Sequence, residues 1–179
     1  MASAPPAAAA KKPEPPKQQP LPIGSFNFAV GFSTKDFSPI AGLSPEITGG
    51  FAEISGLEAT MEAKVIKSGG RNYGAHQRAG PVSFGTVIMK RGMIEARHLW
   101  AWWALFAGAD GHDNGNWQAS SRSDVTIAML RDGKAAVTWI LRRAMPVKFR
   151  IGDLNAKSGE VAIEELHLVH EGLDMAEMK

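Results

Sequence analysis

The stretch DVTIAMLRDGKAAVTWILRR, residues 124–143, decides the fold class. It holds two runs in which apolar residues alternate with small or polar ones, and Val137, Trp139 and Leu141 repeat at a spacing of two. Such alternation is typical of β-strands with one buried face. The sequence RDGK at residues 131–134 fits a tight turn, because Asp and Gly tolerate positive φ. The stretch therefore predicts an antiparallel β-hairpin.

The same period of two continues on both sides of this hairpin. A first strand follows Ser25, and residues 58–67 place Met61, Ala63 and Val65 on one face. Residues 33–47 and 68–81 are rich in Gly, Pro and Ser, which predicts two long loops. The further predicted strands are residues 48–57, 58–67, 82–91, 145–151 and 160–173. About eight strands joined mostly by short turns indicate an antiparallel sandwich or barrel.

One segment has helical spacing instead. Leu99, Trp102, Trp103 and Phe106 lie three and four residues apart, and Gly108 follows as a C-terminal cap. We predict a helix over approximately residues 95–108, with these four side chains in the core or at a seam between subunits. The predicted fold class is mainly β: an antiparallel β-barrel or sandwich of about eight strands with one flanking α-helix.

The N-terminal 22 residues differ in composition from the rest of the 179-residue chain. They read MASAPPAAAAKKPEPPKQQPLP, with three lysines, one glutamate and no aromatic or β-branched residue. Such a segment buries too little apolar surface to fold, so we expect a disordered extension over residues 1–22 and one β-domain over residues 23–179. The whole formal charge of +2 lies in this extension. A domain without net charge argues against a nucleic-acid-binding role.

No motif predicts catalysis, a metal or a cofactor. His167 and His170 are three apart, so in one strand they face opposite sides. Residues 110–116, DGHDNGN, lack the ligand spacing of a calcium-binding EF-hand loop. GGRNYG at residues 69–74 lacks the Lys-Ser/Thr pair of a P-loop, no GxSxG is present, and the chain has no cysteine. We therefore expect a non-enzyme whose exposed strand edges pair with other copies, closing a ring when the rotation closes.

Several phrases in fixed order resemble the tail-tube protein family of contractile phages and phage-like contractile injection systems. They are F-x-E-x-S-G-L-E within residues 49–63, MKRG at 89–92, A-x-P-V-K at 144–148, D-L-N-A at 153–156 and E-x-x-x-x-H-E-G-L ending at residue 173. LWAWW at residues 99–103 lies between them in order. The resemblance covers nearly the whole domain.

The resemblance implies a fold similar to the haemolysin-coregulated protein of type VI secretion. It implies that six copies form a ring, that rings stack into an inner tube, and that a sheath protein surrounds it. Baseplate or hub proteins and terminator proteins would bind the ends, and a cargo effector or nucleic acid would fill the lumen. It implies no cofactor. Assembly is expected in the bacterial or archaeal cytoplasm, into a particle that is released outside the cell or anchored to a membrane.

Loop 68–81 is our candidate for contact between rings. It has the length and the polar side chains to reach an adjacent ring, and its candidate contact residues are Arg71, Tyr73, His76 and Arg78. The N-terminal extension and loop 33–47 depart from the family pattern, so a baseplate-proximal tube initiator is an open alternative to the main tube subunit. A monomeric β-sandwich binding module, with Tyr73 and Trp117 as the loop candidates for an aromatic platform, is a second alternative.

Overall fold

The computed structural model describes residues 24, 27–33, 50–95, 97–109, 121–154, 157, 159 and 161–176. The N-terminal extension, most of loop 33–47, residues 110–116 and Trp117 lie outside the described residues. In chain order the elements are β1 (Phe28–Phe32), β2 (Phe51–Ser55), β3 (Ala59–Ile66), β4 (His76–Phe84), β5 (Val87–Gly92), α1 (His98–Ala107), β6 (Ser123–Arg131), β7 (Lys134–Ile151), β8 (Ile163–Val169) and β9 (Gly172–Met175).

Two antiparallel layers face each other across one core. In the first layer, β1 pairs with β6, β6 with β7, and β7 with β9. In the second, β7 pairs with β8, β8 with β5, and β5 with β2. Alternate residues of both layers point inward, and the buried side chains include Val30, Val87, Val125, Ile127, Leu141, Leu166 and Leu168. The predicted mainly β fold with one helix is confirmed, as a sandwich rather than a closed barrel.

Strand β7 belongs to both layers. Its first half pairs with β6 and β9, and its second half, from Met145, pairs with β8. Arg143 lies between the halves with φ 49°, and its backbone N–H donates to Asp124 Oδ1 at 2.8 Å. That bond lowers the pKa of Asp124. The prediction that residues 145–151 form a strand separate from the hairpin was wrong, because a left-handed residue bends one strand without ending it.

The predicted hairpin and helix are present. Asp132 and Gly133 have φ of 51° and 74°, as a two-residue turn with two left-handed positions requires. Helix α1 begins at His98, three residues later than predicted, and Gly108 caps its end with φ 75°. Instead of the single strand predicted over residues 160–173, the structure has β8 (Ile163–Val169) and β9 (Gly172–Met175), since the chain turns at His170 and Glu171.

The prediction for residues 68–91 was wrong in its boundaries. Residues 76–81 belong to β4, which pairs with β3, so the loop between these strands is shorter than predicted. The predicted strand over residues 82–91 is divided at Gly85 and Thr86 between β4 and β5. The glycines and the proline within residues 69–81 are typical of a loop, but Gly80 and Pro81 belong to the bulged strand β4.

Candidate functional site

Strands β3 and β4 form a two-stranded ribbon that joins neither layer; we call it the arm (residues 58–85). In an antiparallel pair, opposed residues share a face. The register opposes Met61 to Val82, Ala63 to Ala79 and Val65 to Gln77. One face of the arm is therefore apolar except for Gln77, and it is open to solvent: Met61, Val65 and Val82 are 56%, 58% and 53% exposed.

The opposite face of the arm carries mostly polar and charged residues, with Ile66 as an apolar exception, and the tip is polar and basic. Lys64 is opposed to Arg78, and Ile66 to His76. At the tip, Arg71 Nη1 lies 2.9 Å from His76 Nε2, and Tyr73 is 96% exposed. The structure thus brings Arg71 and His76 together. Arg78 lies two residues further along β4, on the same face as His76. Tyr73 projects from the loop.

A bulge shapes the middle of the arm. The register shifts between Met61 and Ala63, so that Gly80 and Pro81 lie opposite the single residue Glu62. A Cβ on Gly80 would come within 2.2 Å of the Glu62 carbonyl oxygen, which only glycine avoids. The bulge keeps the apolar residues on one face along the whole arm, because it corrects the alternation across the inserted residue.

The base of the arm is fixed to the sandwich. Gly56, with φ 80°, would place a Cβ 2.1 Å from the Thr86 carbonyl oxygen, and Gly85 N–H donates to the Glu58 carbonyl at 3.2 Å. Phe84 packs on the ring of His170 at 5.0 Å between centroids. These contacts hold both ends of the arm at one point of the body.

His170 is buried and neutral at this base. Its Nδ1–H donates to the Gly172 carbonyl at 2.9 Å, which leaves Nε2 unprotonated, buried and without a partner among the described residues. Burial lowers the pKa of His170, since a charge on Nε2 would be desolvated. The carboxylate of the next residue, Glu171, is already paired with Arg122 and Arg143.

We expect the fold to lose stability through His170 as the pH falls below about 6.5, the ordinary pKa of histidine. Its pKa is below the ordinary 6.5 in the folded chain, so the stabilisation is complete above that value and is lost as the pH falls through it toward the lowered pKa. The lowered pKa of Asp124 acts only below its ordinary value of 3.8. In thermal unfolding, His170→Gln should flatten the pH profile over this range, whereas the exposed-arm variant His76→Gln should keep it. An unchanged profile in His170→Gln would contradict the assignment.

The four helix residues predicted for core or seam differ in burial. Leu99 and Trp102 are fully buried, whereas Trp103 and Phe106 are half-buried and pack against the core. Trp102 Nε1 donates to the Ser121 carbonyl at 3.1 Å, and its ring meets Phe32 edge-on at 5.6 Å. The half-buried pair stays a candidate for a seam between subunits.

Sequence reasoning missed a buried ion pair. Arg91 and Glu164 are 1% and 6% exposed, and Arg91 Nε donates to Glu164 Oε1. The guanidinium carbon lies 5.8 Å from the centre of the Phe51 ring, and Nη1 and Nη2 have no hydrogen-bond partner among the described residues. Charged residues at inward positions of β5 and β8 were the available signal, but only the strand register places them opposite each other.

The described residues contain no group of three or more His, Asp or Glu side chains that could hold a metal ion. None of the helices in the described part of the chain is long and apolar enough to cross a membrane. The prominent surfaces are instead the arm and the strand edges. Among the described strands of the two layers, β1, β2, β9 and the second half of β7 pair on one side only. This architecture defines a class: a β-sandwich with open strand edges and a protruding ribbon, surfaces of the kind through which β-proteins pair with other chains.

Comparison with known proteins identifies the family. Residues 24–174 match the family described as T4-like virus tail tube protein gp19. The chain belongs to this family, as the resemblance in its sequence had indicated. No curated protein matches the chain by sequence.

Solved structures show the same fold. A chain in the 6-fold symmetrised baseplate of the anti-feeding prophage (AFP) is 26% identical with a TM-score of 0.71, over 88% of this chain and 97% of that chain. A chain in the sheath–tube complex of the extracellular contractile injection system PVC is 18% identical with a TM-score of 0.66, over 88% and 93%. Hcp1 from Flavobacterium johnsoniae is 12% identical with a TM-score of 0.50, over 84% and 94%. The last two show the fold alone.

Proposed function

We propose that this protein is a structural subunit of the inner tube of a contractile phage tail or contractile injection system. Membership of the tail-tube family over residues 24–174 carries the proposal. The open edges and the exposed apolar arm supply the surfaces that such a subunit needs. Six copies form each ring, in keeping with the 6-fold symmetry of the AFP baseplate that contains a similar chain. Neither catalysis nor a cofactor belongs to this role.

The proposed role in a tube implies several partners. A sheath protein surrounds it, as the sheath–tube complex that contains a similar chain suggests. Baseplate or hub proteins and a terminator bind its ends, and a cargo effector or nucleic acid occupies the lumen. The tube assembles in the cytoplasm of the producing cell and acts within the released or membrane-anchored particle.

The function is tested by negative-stain microscopy and light scattering of the purified full chain. Rings with a central channel, or stacked tubes, are the expected result. A chain that stays monomeric at high concentration, with no ring even inside its parent particle, would contradict the proposal and favour the monomeric binding module.

A second candidate is a tube initiator at the baseplate. The similarity to a chain from the AFP baseplate favours it. A main tube subunit should stack into long tubes on its own, whereas an initiator should stop at single rings or short stacks. The length distribution in the same micrographs therefore separates the two roles.

The arm tip is proposed to contact the adjacent ring through Arg71, Tyr73, His76 and Arg78. Replacing Arg71, Tyr73 and Arg78 by serine should weaken ring stacking about tenfold or more, because aromatic and arginine side chains dominate interface energies. Tube length measured by microscopy should fall accordingly. The matched control is Lys134→Ser, which removes an exposed charge at the β6–β7 turn away from the arm. Undiminished tubes in the triple variant would refute the contact.

A further inference from the structure

Phe84 of the arm and His170 of the sandwich are in ring contact at the base of the arm. Their centroids lie 5.0 Å apart, and their planes are tilted by 43°. The side chains along β3 and β4 are exposed to solvent, apart from that of Phe84, which is half-buried. The Phe84 side chain therefore ties the arm to the sandwich.

The imidazole of His170 is fixed on the sandwich side of this contact. His170 lies in the turn between β8 and β9, where its Nδ1–H donates to the Gly172 carbonyl at 2.9 Å. The Glu171 N–H donates to the Arg142 carbonyl of β7 at 2.9 Å, and Gly172 is opposed to Arg142 in the sheet. The turn is thus bonded to β7, so the imidazole stays in place when the arm moves.

The arm side of the contact has more freedom. The arm leaves the sandwich after β2 and returns to it before β5, so both of its ends are attached at one point. Neither β3 nor β4 pairs with any other described strand. A lone two-stranded ribbon is only marginally stable in water. Without the Phe84 contact, the arm would be free to swing about its base.

A proton on His170 Nε2 has no acceptor in the closed contact. Nε2 is buried and has no hydrogen-bond partner among the described residues. The charged side chains on the surrounding elements are engaged elsewhere: Glu171 with Arg122 and Arg143, Asp124 and Asp174 with Arg142, and Glu58 against Gly85. Burial lowers the pKa of His170 more than the bond to Gly172 raises it. The closed contact therefore disfavours the imidazolium.

Displacing Phe84 relieves this penalty, because it uncovers the imidazole on which the phenyl ring packs. The face of Phe84 attracts a cation, but a buried charge without an acceptor loses more hydrogen bonding than this attraction returns. Water that reaches Nε2 accepts the missing hydrogen bond. Since the imidazole is held by Gly172 and β7, the partner that moves is Phe84.

We propose that Phe84 and His170 form an acid-sensitive latch: the arm is held against the sandwich while His170 is neutral, and protonation of Nε2 releases it while the sandwich stays folded. The latch is a property of the single chain and goes beyond the proposed tube function. Its consequence for assembly rests on that function: because rings are proposed to meet through the arm tip, acid should loosen the contacts between rings.

Distances between two spin labels measure the latch in the full chain, which has no cysteine of its own. Ser68→Cys/Lys134→Cys places one nitroxide at the arm tip and one at the β6–β7 turn, and both positions are exposed. The measurement is made at a dilution where light scattering shows single chains. We expect one narrow distance population at neutral pH and a second, broad population on acidification. Circular dichroism checks that the sandwich stays folded.

The size of the effect follows from the binding of one proton. The ratio of released to latched arms should rise up to about tenfold per pH unit, from about 6.5 down to the lowered pKa of His170. His170→Gln should abolish this slope, whereas His76→Gln in the exposed part of the arm should retain it. Phe84→Ala leaves His170 in place and should release the arm at neutral pH, so it tests the latch independently of the histidine variant.

Each outcome bears on the latch. Acid release in the wild type that is lost in His170→Gln supports it, as does a released arm in Phe84→Ala at neutral pH. A wild-type arm that stays latched below the pH at which the His170 ring titrates by NMR overturns it, and so does equal acid release in the wild type and in His170→Gln. These results come from single chains, so a chain that forms no rings overturns the proposed function and leaves the latch to be decided by the spin-label distances.

Discussion

Replacing Trp102 by alanine is expected to lower the free energy of unfolding by about 3–5 kcal/mol, the usual cost of removing a buried tryptophan. The side chain is fully buried in the core, and its ring meets Phe32 edge-on at 5.6 Å. Its indole N–H also satisfies the carbonyl of Ser121 at 3.1 Å, which would be left unpaired. Denaturant unfolding followed by fluorescence and circular dichroism measures the loss.

The neighbouring Trp103 is the matched control for this substitution. It lies next in the same helix but is only half-buried, and its ring packs on Trp100 at 5.1 Å. Trp103→Ala should therefore cost clearly less than Trp102→Ala, since less apolar area returns to water. Equal losses, or a loss below about 1 kcal/mol for Trp102→Ala, would contradict the central packing role of Trp102.

The sequence predicted the β6–β7 hairpin and helix α1, because neighbouring residues determine both. The β6–β7 hairpin follows from alternation and from the Asp132–Gly133 turn, and both residues adopt the positive φ that the turn needs. Helix α1 follows from the spacing of Leu99 and Trp102, and its end from Gly108. In each case the residues that determine the structure lie close together in sequence.

The arm could not be predicted from local signals, because its glycine and proline residues have a structural role that depends on a strand distant in sequence. Gly80 and Pro81 look like loop residues, yet they form a bulge whose shape is set by the Glu62 carbonyl on the opposite strand. Likewise, Arg143 looks like the gap between two strands, yet β7 continues through it from one layer into the other. Both features depend on which strand lies alongside, and a single sequence does not contain that information in readable form.

The same dependence on strand pairing explains why the arm tip could be predicted from the sequence whereas the buried ion pair was missed. The polar residues at the arm tip could be proposed from loop composition alone. The buried Arg91–Glu164 pair exists only once the register of β5 and β8 is known. The same holds on the outward face of the second layer for the ion pairs Glu53–Lys90 and Glu165–Arg150, which depend on the register of four strands. Charges that are scattered over about 110 residues of sequence become neighbours when the sheet forms.

Making the apolar face of the arm polar is expected to abolish ring and tube assembly while leaving the fold intact. In Met61→Glu/Val82→Lys, the two new charges oppose each other across the ribbon, so they stabilise the strand pairing rather than disrupt it. Both native side chains are more than half exposed in the single chain, so their replacement should change its unfolding free energy by no more than about 0.5 kcal/mol. Light scattering and microscopy measure assembly.

The physical reason is that a lone two-stranded ribbon has no packed face of its own. Two strands without a packed face are marginally stable in water, and an exposed apolar face gains about 1 kcal/mol or more for each side chain that a neighbouring copy covers. Introducing two charges removes that gain and adds desolvation, which should weaken association at least about 100-fold. The control Thr60→Glu/Ser83→Lys makes the same change at the adjacent opposed pair on the polar face and should leave assembly intact. If the control abolishes assembly and Met61→Glu/Val82→Lys does not, the polar face rather than the apolar face of the arm meets the neighbouring copy.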